Sequence, residues 1–152
     1  MADNRFKRLV HARHPQYGLF CVSNALQTAE ALAHSGLDFI AFDAEHSPQS
    51  MPHLHAQLAA LAGAPIASIV RVAGLDIAAF KQCLDLGADA LMVPNIANAD
   101  EARTAVSYTR YPPEGVRGMG GTMRVTRYGR DKDYFATAAQ RSCLIVQIES
   151  RQ

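Results

Sequence analysis

The chain has 152 residues, 49% of them hydrophobic and 19% charged, with 10 glycines and 7 prolines. That make-up suits one ordinary globular domain and excludes a disordered tail, a collagen-like repeat and a disulfide-dense miniprotein. The net charge is only +1, so there is no electrostatic case for nucleic acid or an anionic membrane as partner.

A polar opening, Met1 to Arg8, leads into no signal sequence, and no apolar run reaches the roughly 18 to 20 residues that span a bilayer. A soluble, cytoplasmic protein is expected. An amphipathic helix is predicted from Asn4 to His14, stopped by Pro15. Tyr17 to Ser23 is a brief apolar run containing Gly18 and short enough for a buried strand. Ala25 to Ser35 favours helix, closed by Gly36. Phe39 to Phe42 reads as a second strand ending in the cluster Asp43, Ala44, Glu45, His46. Ser47-Pro48 predicts the start of a helix that runs to Ala62, with Gly63 and Pro65 ending it. Ile66 to Val72 is a third strand with Arg71 near its end.

The alternation then repeats. Asp76 is an expected N-cap for a helix from Ile77 to Leu86, stopped by Gly87. Ala90 to Val93 is a fourth strand, ending at Pro94-Asn95. Asn98 or Ala99 opens a helix to Thr109, terminated by Tyr111-Pro112-Pro113. A Gly- and Arg-rich segment from Glu114 to Arg130 precedes a short helix, Asp133 to Gln140. Cys143 to Ile148 is a fifth strand with Glu149 at its end. The three cysteines, Cys21, Cys83 and Cys143, form no CxxC pair, so neither a zinc knuckle nor a thioredoxin-type site is expected. Cys21 and Cys143 lie in apolar runs and read as buried thiols.

Short apolar strands alternating with helices predict a parallel α/β sheet. Two architectures satisfy that order. One is an open doubly wound sheet of five strands. The other is a (β/α)8 TIM barrel, normally about 250 residues long, of which this chain supplies the first five βα units.

The strands are apolar inside, yet several end in residues that do chemistry. Asp43, Glu45 and His46 follow the second strand, Arg71 ends the third, and Gln147 and Glu149 end the fifth. The carboxyl ends of parallel strands converge on one rim, where α/β enzymes place their sites. Arg71, set among Ile69, Val70 and Val72, must find an anion or reach solvent, because an unpaired buried guanidinium is costly. Its planar fork suits a carboxylate or a developing enolate. His46 supplies a base that titrates near neutral pH. By contrast, His53 and His55 sit two apart on a helix and cannot share a metal. Arg117-Gly118-Met119-Gly120-Gly121 lacks the GxGxxG spacing of a dinucleotide site. Of the lysines, Lys7, Lys81 and Lys132, none falls on a strand where a Schiff-base enzyme would need it. Glu149 instead suggests a hard-oxygen ligand for a divalent cation.

The runs Phe42-Asp43-Ala44-Glu45-His46-Ser47-Pro48, Val70-Arg71-Val72, Leu91-Met92-Val93-Pro94, Asn98-Ala99-Asp100-Glu101-Ala102-Arg103, Arg110-Tyr111-Pro112-Pro113-Glu114-Gly115-Val116-Arg117-Gly118 and Val146-Gln147-Ile148-Glu149 occur in order. Together they resemble the HpcH/HpaI family of class II pyruvate aldolases, from about Phe6 onward. The resemblance implies a (β/α)8 barrel and a carbon–carbon lyase cleaving 4-hydroxy-2-oxo acids to pyruvate, or a related 2-oxo acid, and an aldehyde. It implies a divalent cation, Mg2+, Mn2+ or Co2+, with Glu149 as one ligand. His46 matches the general base, Asp85 the aspartate that orients it, and Arg71 the arginine that stabilises the enolate. Gln147 matches a substrate-contacting glutamine and Asp43 an acidic residue beside the base. The resemblance also implies a homo-oligomer and a second carboxylate ligand in a Gly-Pro-x-Asp segment of a sixth strand, which has no counterpart here. The expectation is therefore a single partial barrel over 1–152, with the C-terminal three βα units absent and activity impaired. Two alternatives are a lyase of the citrate lyase and malyl-CoA lyase group, and a non-catalytic remnant that works only through subunit association.

Overall fold

The computed structural model describes residues 4–151. Its elements are α1 (Arg5–His11), β1 (Gly18–Cys21), α2 (Leu26–Leu32), β2 (Phe39–Asp43), α3 (Met51–Ala60), β3 (Ala67–Arg71), α4 (Ile77–Asp85), β4 (Ala90–Val93), α5 (Ala99–Thr109), a 3-10 turn (Arg124–Thr126), α6 (Tyr134–Arg141) and β5 (Cys143–Val146). All five strands are parallel and lie side by side in sequence order, β1-β2-β3-β4-β5. A doubly wound sheet reverses direction at a switch point. This one never does, so it is wound in a single direction, as consecutive units of a (β/α)8 barrel are.

The pleat sorts the strand residues onto two faces. On one, Ile40, Phe42, Val70, Leu91 and Val93 are buried with Leu54, Leu58, Phe80, Cys83, Leu84 and Ala105 of the helices. Each of the Val, Leu, Ile and Phe side chains contributes about 1.5–3 kcal/mol by leaving water. On the other, Ala41, Ile69 and Ala90 form a smaller cluster with Phe6 of α1, which sits edge-on to Phe39. Asp43 and Arg71 extend that second face, two residues beyond Ala41 and Ile69, and are register partners. Gly18 begins β1 because a Cβ there would lie 2.4 Å from the Phe39 carbonyl oxygen.

Several boundaries shift for local reasons. α1 stops at His11 because Arg13 takes a left-handed φ of 57°. α3 begins at Met51, not after Ser47: Ser50 is its N-cap, accepting from the His53 amide, and Pro52 occupies the first turn. Ser47 is drawn instead to the Asp43 carbonyl. At α5 the N-cap is Asn98, whose Oδ1 accepts from the Glu101 amide at 2.9 Å, while Glu101 accepts from the Ala97 amide at 2.8 Å. That reciprocal exchange is a capping box displaced by one residue.

The Gly- and Arg-rich segment runs beneath the sheet. Arg124 donates to the carbonyls of Leu86 (2.6 Å) and Leu58 (2.9 Å), joining the C-terminal ends of α4 and α3. Asp89 accepts from both the amide and the hydroxyl of Ser68 at 2.8 Å, tying the start of β4 to β3. The cysteines are free thiols: Cys21 and Cys83 are buried and Cys143 is half-buried. Burial pushes the Cys83 thiol up to about 12, far from a reactive thiolate. Among the described residues no helix is long and apolar enough to cross a membrane.

Candidate active site

Arg71 organises the carboxyl rim. Its Nε and Nη2 donate to the two oxygens of Asp43 at 3.0 and 2.7 Å, and its Nε lies 3.3 Å from Glu45. The Phe20 ring, on the same face of β1, stands 4.7 Å from the guanidinium carbon. One edge and one face of the guanidinium are thus held, while Nη1 has no hydrogen-bond partner among the described residues. The bond to Asp43 keeps Arg71 protonated beyond its ordinary value, and Glu149 adds to the negative field around it.

Asp43 is the hub of this arrangement rather than a free ligand. Its side chain is 3% exposed, and besides Arg71 its Oδ1 accepts from the amides of Glu45 (3.1 Å) and His46 (3.2 Å). It is filled by four donors and sets the course of the loop that carries His46. The Arg71 bond, helped by the two amides, outweighs burial and holds the carboxyl below its ordinary value. A depressed folded value means that Asp43 stabilises the fold fully above its ordinary value of 3.8 and loses that contribution as the pH falls through the folded one. Asp43→Asn should therefore flatten the acid limb of a urea-unfolding series below about pH 4. A wild-type limb that is unchanged by the substitution would refute this.

His46 projects into solvent, its side chain 70% exposed, with Nε2 lying 3.5 Å from Glu45 Oε1. Asp85, matched by the resemblance to the residue that orients this histidine, is not brought to it within this chain. Helix α4 runs back against the strands, so its last residue lies about 13 Å of helix away from the rim. There Asp85 accepts from Arg117 Nη2 at 2.7 Å. Arg117 is fully buried, bonded also to the Tyr134 hydroxyl (3.3 Å) and stacked 4.6 Å from the Tyr111 ring. The carboxylate beside His46 in this chain is Glu45.

β5 ends at Val146, short of the expected Ile148, and the segment leaving it contributes Gln147 and Glu149. Gln147 is fixed to β4 through its backbone, donating to the Val93 carbonyl and accepting from the Ile96 amide, while its side-chain oxygen is buried without a partner. One Glu149 oxygen accepts from the Asn95 amide at 3.0 Å. A carboxylate and an unpartnered amide oxygen are hard donors, and they fit a divalent cation that takes its other ligands from substrate or water. They do not make a closed cage: among the described residues no group of three or more His, Cys, Asp or Glu could hold a metal.

The structure therefore brings Asp43, Glu45, His46 and Arg71 together, sets Gln147 and Glu149 on the same rim, and separates Asp85. Reading the sequence missed Phe20, although strand alternation places it in register with Ala41. It also assigned no role to the buried Arg117, in the Gly- and Arg-rich segment, or to the buried Gln57, in the helix after the second strand.

A sheet wound in one direction, with cationic and carboxylate groups gathered at its carboxyl rim, defines the class of (β/α)-barrel proteins that build their sites there. The sequence pattern of the HpcH/HpaI aldolase/citrate lyase family matches residues 16–152, and the chain belongs to that family. A 4-hydroxy-2-oxo-heptane-1,7-dioate aldolase of Escherichia coli is 42% identical over 151 residues, covering 99% of this chain and 58% of the relative. A pyruvate aldolase of Rhizobium etli is 42% identical over 149 residues, or 98% of this chain and 59% of the relative. A crystal structure of a family protein from Burkholderia cenocepacia superposes with a TM-score of 0.93 at 38% identity, covering 97% of this chain and 60% of that one. The chain thus spans somewhat less than two thirds of the length of these relatives.

Proposed function

We propose that this chain forms the pyruvate-binding part of a metal-dependent class II aldolase that cleaves 4-hydroxy-2-oxo acids to a 2-oxo acid and an aldehyde. What supports the reading most directly is Arg71, locked by Asp43, Glu45 and Phe20 with one guanidinium nitrogen left over at the strand-end rim. Retro-aldol cleavage breaks the C3–C4 bond, and its electron pair passes into the departing three-carbon fragment as an enolate. Arg71 Nη1 offers fixed positive charge where that negative charge develops, and a donor immobilised beforehand need not reorganise during the reaction. His46 would take the proton of the 4-hydroxyl as it becomes the aldehyde carbonyl, and a proton returned to C3 of the enolate would complete the 2-oxo acid. Gln147, with its free amide oxygen, would orient the substrate, and Glu149 would hold a divalent cation such as Mg2+, Mn2+ or Co2+. When bound, that cation would supply further positive charge for the oxygens of the 2-oxo acid.

The test is release of pyruvate from a 4-hydroxy-2-oxo acid by the purified chain, with Mn2+ and with EDTA. Turnover that depends on the metal and is abolished by EDTA supports the reading. Turnover unaffected by EDTA would refute the metal dependence, and absence of turnover at any metal concentration would refute the activity for this chain.

A further inference from the structure

Gln57 stands on the buried side of α3, its side chain among the least exposed in the molecule at 0%. An apolar residue would fill that place without having to bury an amide, which is costly unless every polar atom is bonded. In Gln57 every one is. Its Nε2 donates to the carbonyls of Ser23 (2.8 Å) and Ala25 (3.3 Å), and its Oε1 accepts from Gln49 Nε2 at 2.6 Å. The carbonyls belong to the loop leaving β1, just beyond Phe20. Gln49 belongs to the loop leaving β2, three residues beyond His46. Among the described residues the Gln49 amide has no second anchor: its own oxygen is buried without a partner there. One side chain thus ties two neighbouring rim loops to each other and to a helix of the scaffold.

The rest of the β2 loop is fastened only near its ends. Asp43 holds the amides of Glu45 and His46 with its carboxylate and the Ser47 hydroxyl with its carbonyl, and Ser50 caps α3. Between these points lie Pro48 and Gln49, where the bond to Gln57 supplies the fixing contact. We propose that Gln57 is a positioning residue that sets the gap between the β1 and β2 loops, and so places His46 relative to Arg71 and Phe20. Its effect on turnover rests on the aldolase reading; the coupling of the two loops does not.

Two variants of the full chain test this by hydrogen exchange and by kinetics. Gln57→Leu removes all three bonds at nearly constant volume. Exchange over residues 22–25 and 44–50 should rise together by about tenfold or more, while residues 77–93 keep their protection. Gln49→Ala cuts only one arm, so residues 44–50 should loosen while 22–25 stay protected. In both variants kcat should fall, with KM for the 4-hydroxy-2-oxo acid held within about twofold, because Asp43 rather than Gln57 holds the substrate's anchor. Unchanged protection in both loops, a uniform rise across the sheet, or a loss confined to KM would each overturn the proposal. A wild-type chain without turnover would sink the aldolase reading, and the paired exchange response would then decide the coupling by itself.

Discussion

Replacing Asp85 with alanine is expected to destabilise the fold by about 3 kcal/mol, the scale for stranding one member of a buried ion pair. Arg117 has a side chain with no solvent exposure, and Asp85 is its only carboxylate partner among the described residues. The remaining contacts, the Tyr134 hydroxyl and the Tyr111 ring, cannot neutralise it, and its Nε already lacks a partner. A loss of that size should lower the thermal midpoint by several degrees and shift the urea midpoint without changing the slope. The pair itself need not be strongly stabilising, since two apolar groups of similar volume often serve as well. Asp85→Leu combined with Arg117→Met should accordingly recover most of the loss. If Asp85→Ala left the midpoint unchanged and removed turnover alone, the residue would serve the reaction after all, as the family resemblance implies.

Arg71→Ala should lower kcat/KM for the retro-aldol reaction by about a hundredfold to a thousandfold, the usual effect of removing one fixed donor to a developing oxyanion. Arg71→Lys should rescue little of it. The guanidinium meets Asp43 through two nitrogens and still presents a third, whereas an ammonium offers one point charge on a flexible stem. Arg71→Ala strands the buried Asp43 carboxylate and Arg71→Lys leaves it with a single donor in place of two, so stability must be measured alongside turnover. A variant that folds as well as the parent and keeps kcat/KM within about threefold would remove Arg71 from the proposed mechanism.

Much of this architecture can be read from residue order because parallel strands buried on both faces leave a plain signal. Phe39 to Phe42 and Ala90 to Val93 are uninterrupted apolar runs, each following a Gly-closed helix, and both form strands where expected. The direction of winding has no such signal. It depends on which strand each unit pairs with, and helices of either architecture carry the same periodicity. At the rim, Arg71 announces itself as a charge inside an apolar strand. Asp43 is equally visible, but its saturation by four donors depends on a loop conformation that no spacing reveals. Ser47-Pro48 reads as a helix start on local preference alone, and loses to Ser50 because Ser47 is already committed to the Asp43 carbonyl. Asp85 shows the opposite limit. A resemblance carries a role to a position, but only the path of α4 decides which end of the barrel that position occupies.

The sequential order of the sheet bears on how the chain assembles during synthesis. Each strand finds its partner in the one made just before it, so every new unit can be laid on an existing edge without waiting for distant sequence. α1 is the exception. Asn4 donates to the carbonyls of Asp89 and Arg141, and Lys7 to those of Ala139 and Ser142, groups 85 to 137 positions downstream. Helix α1 can therefore be seated only after α6 has formed, a clasp that is made before the part it closes on.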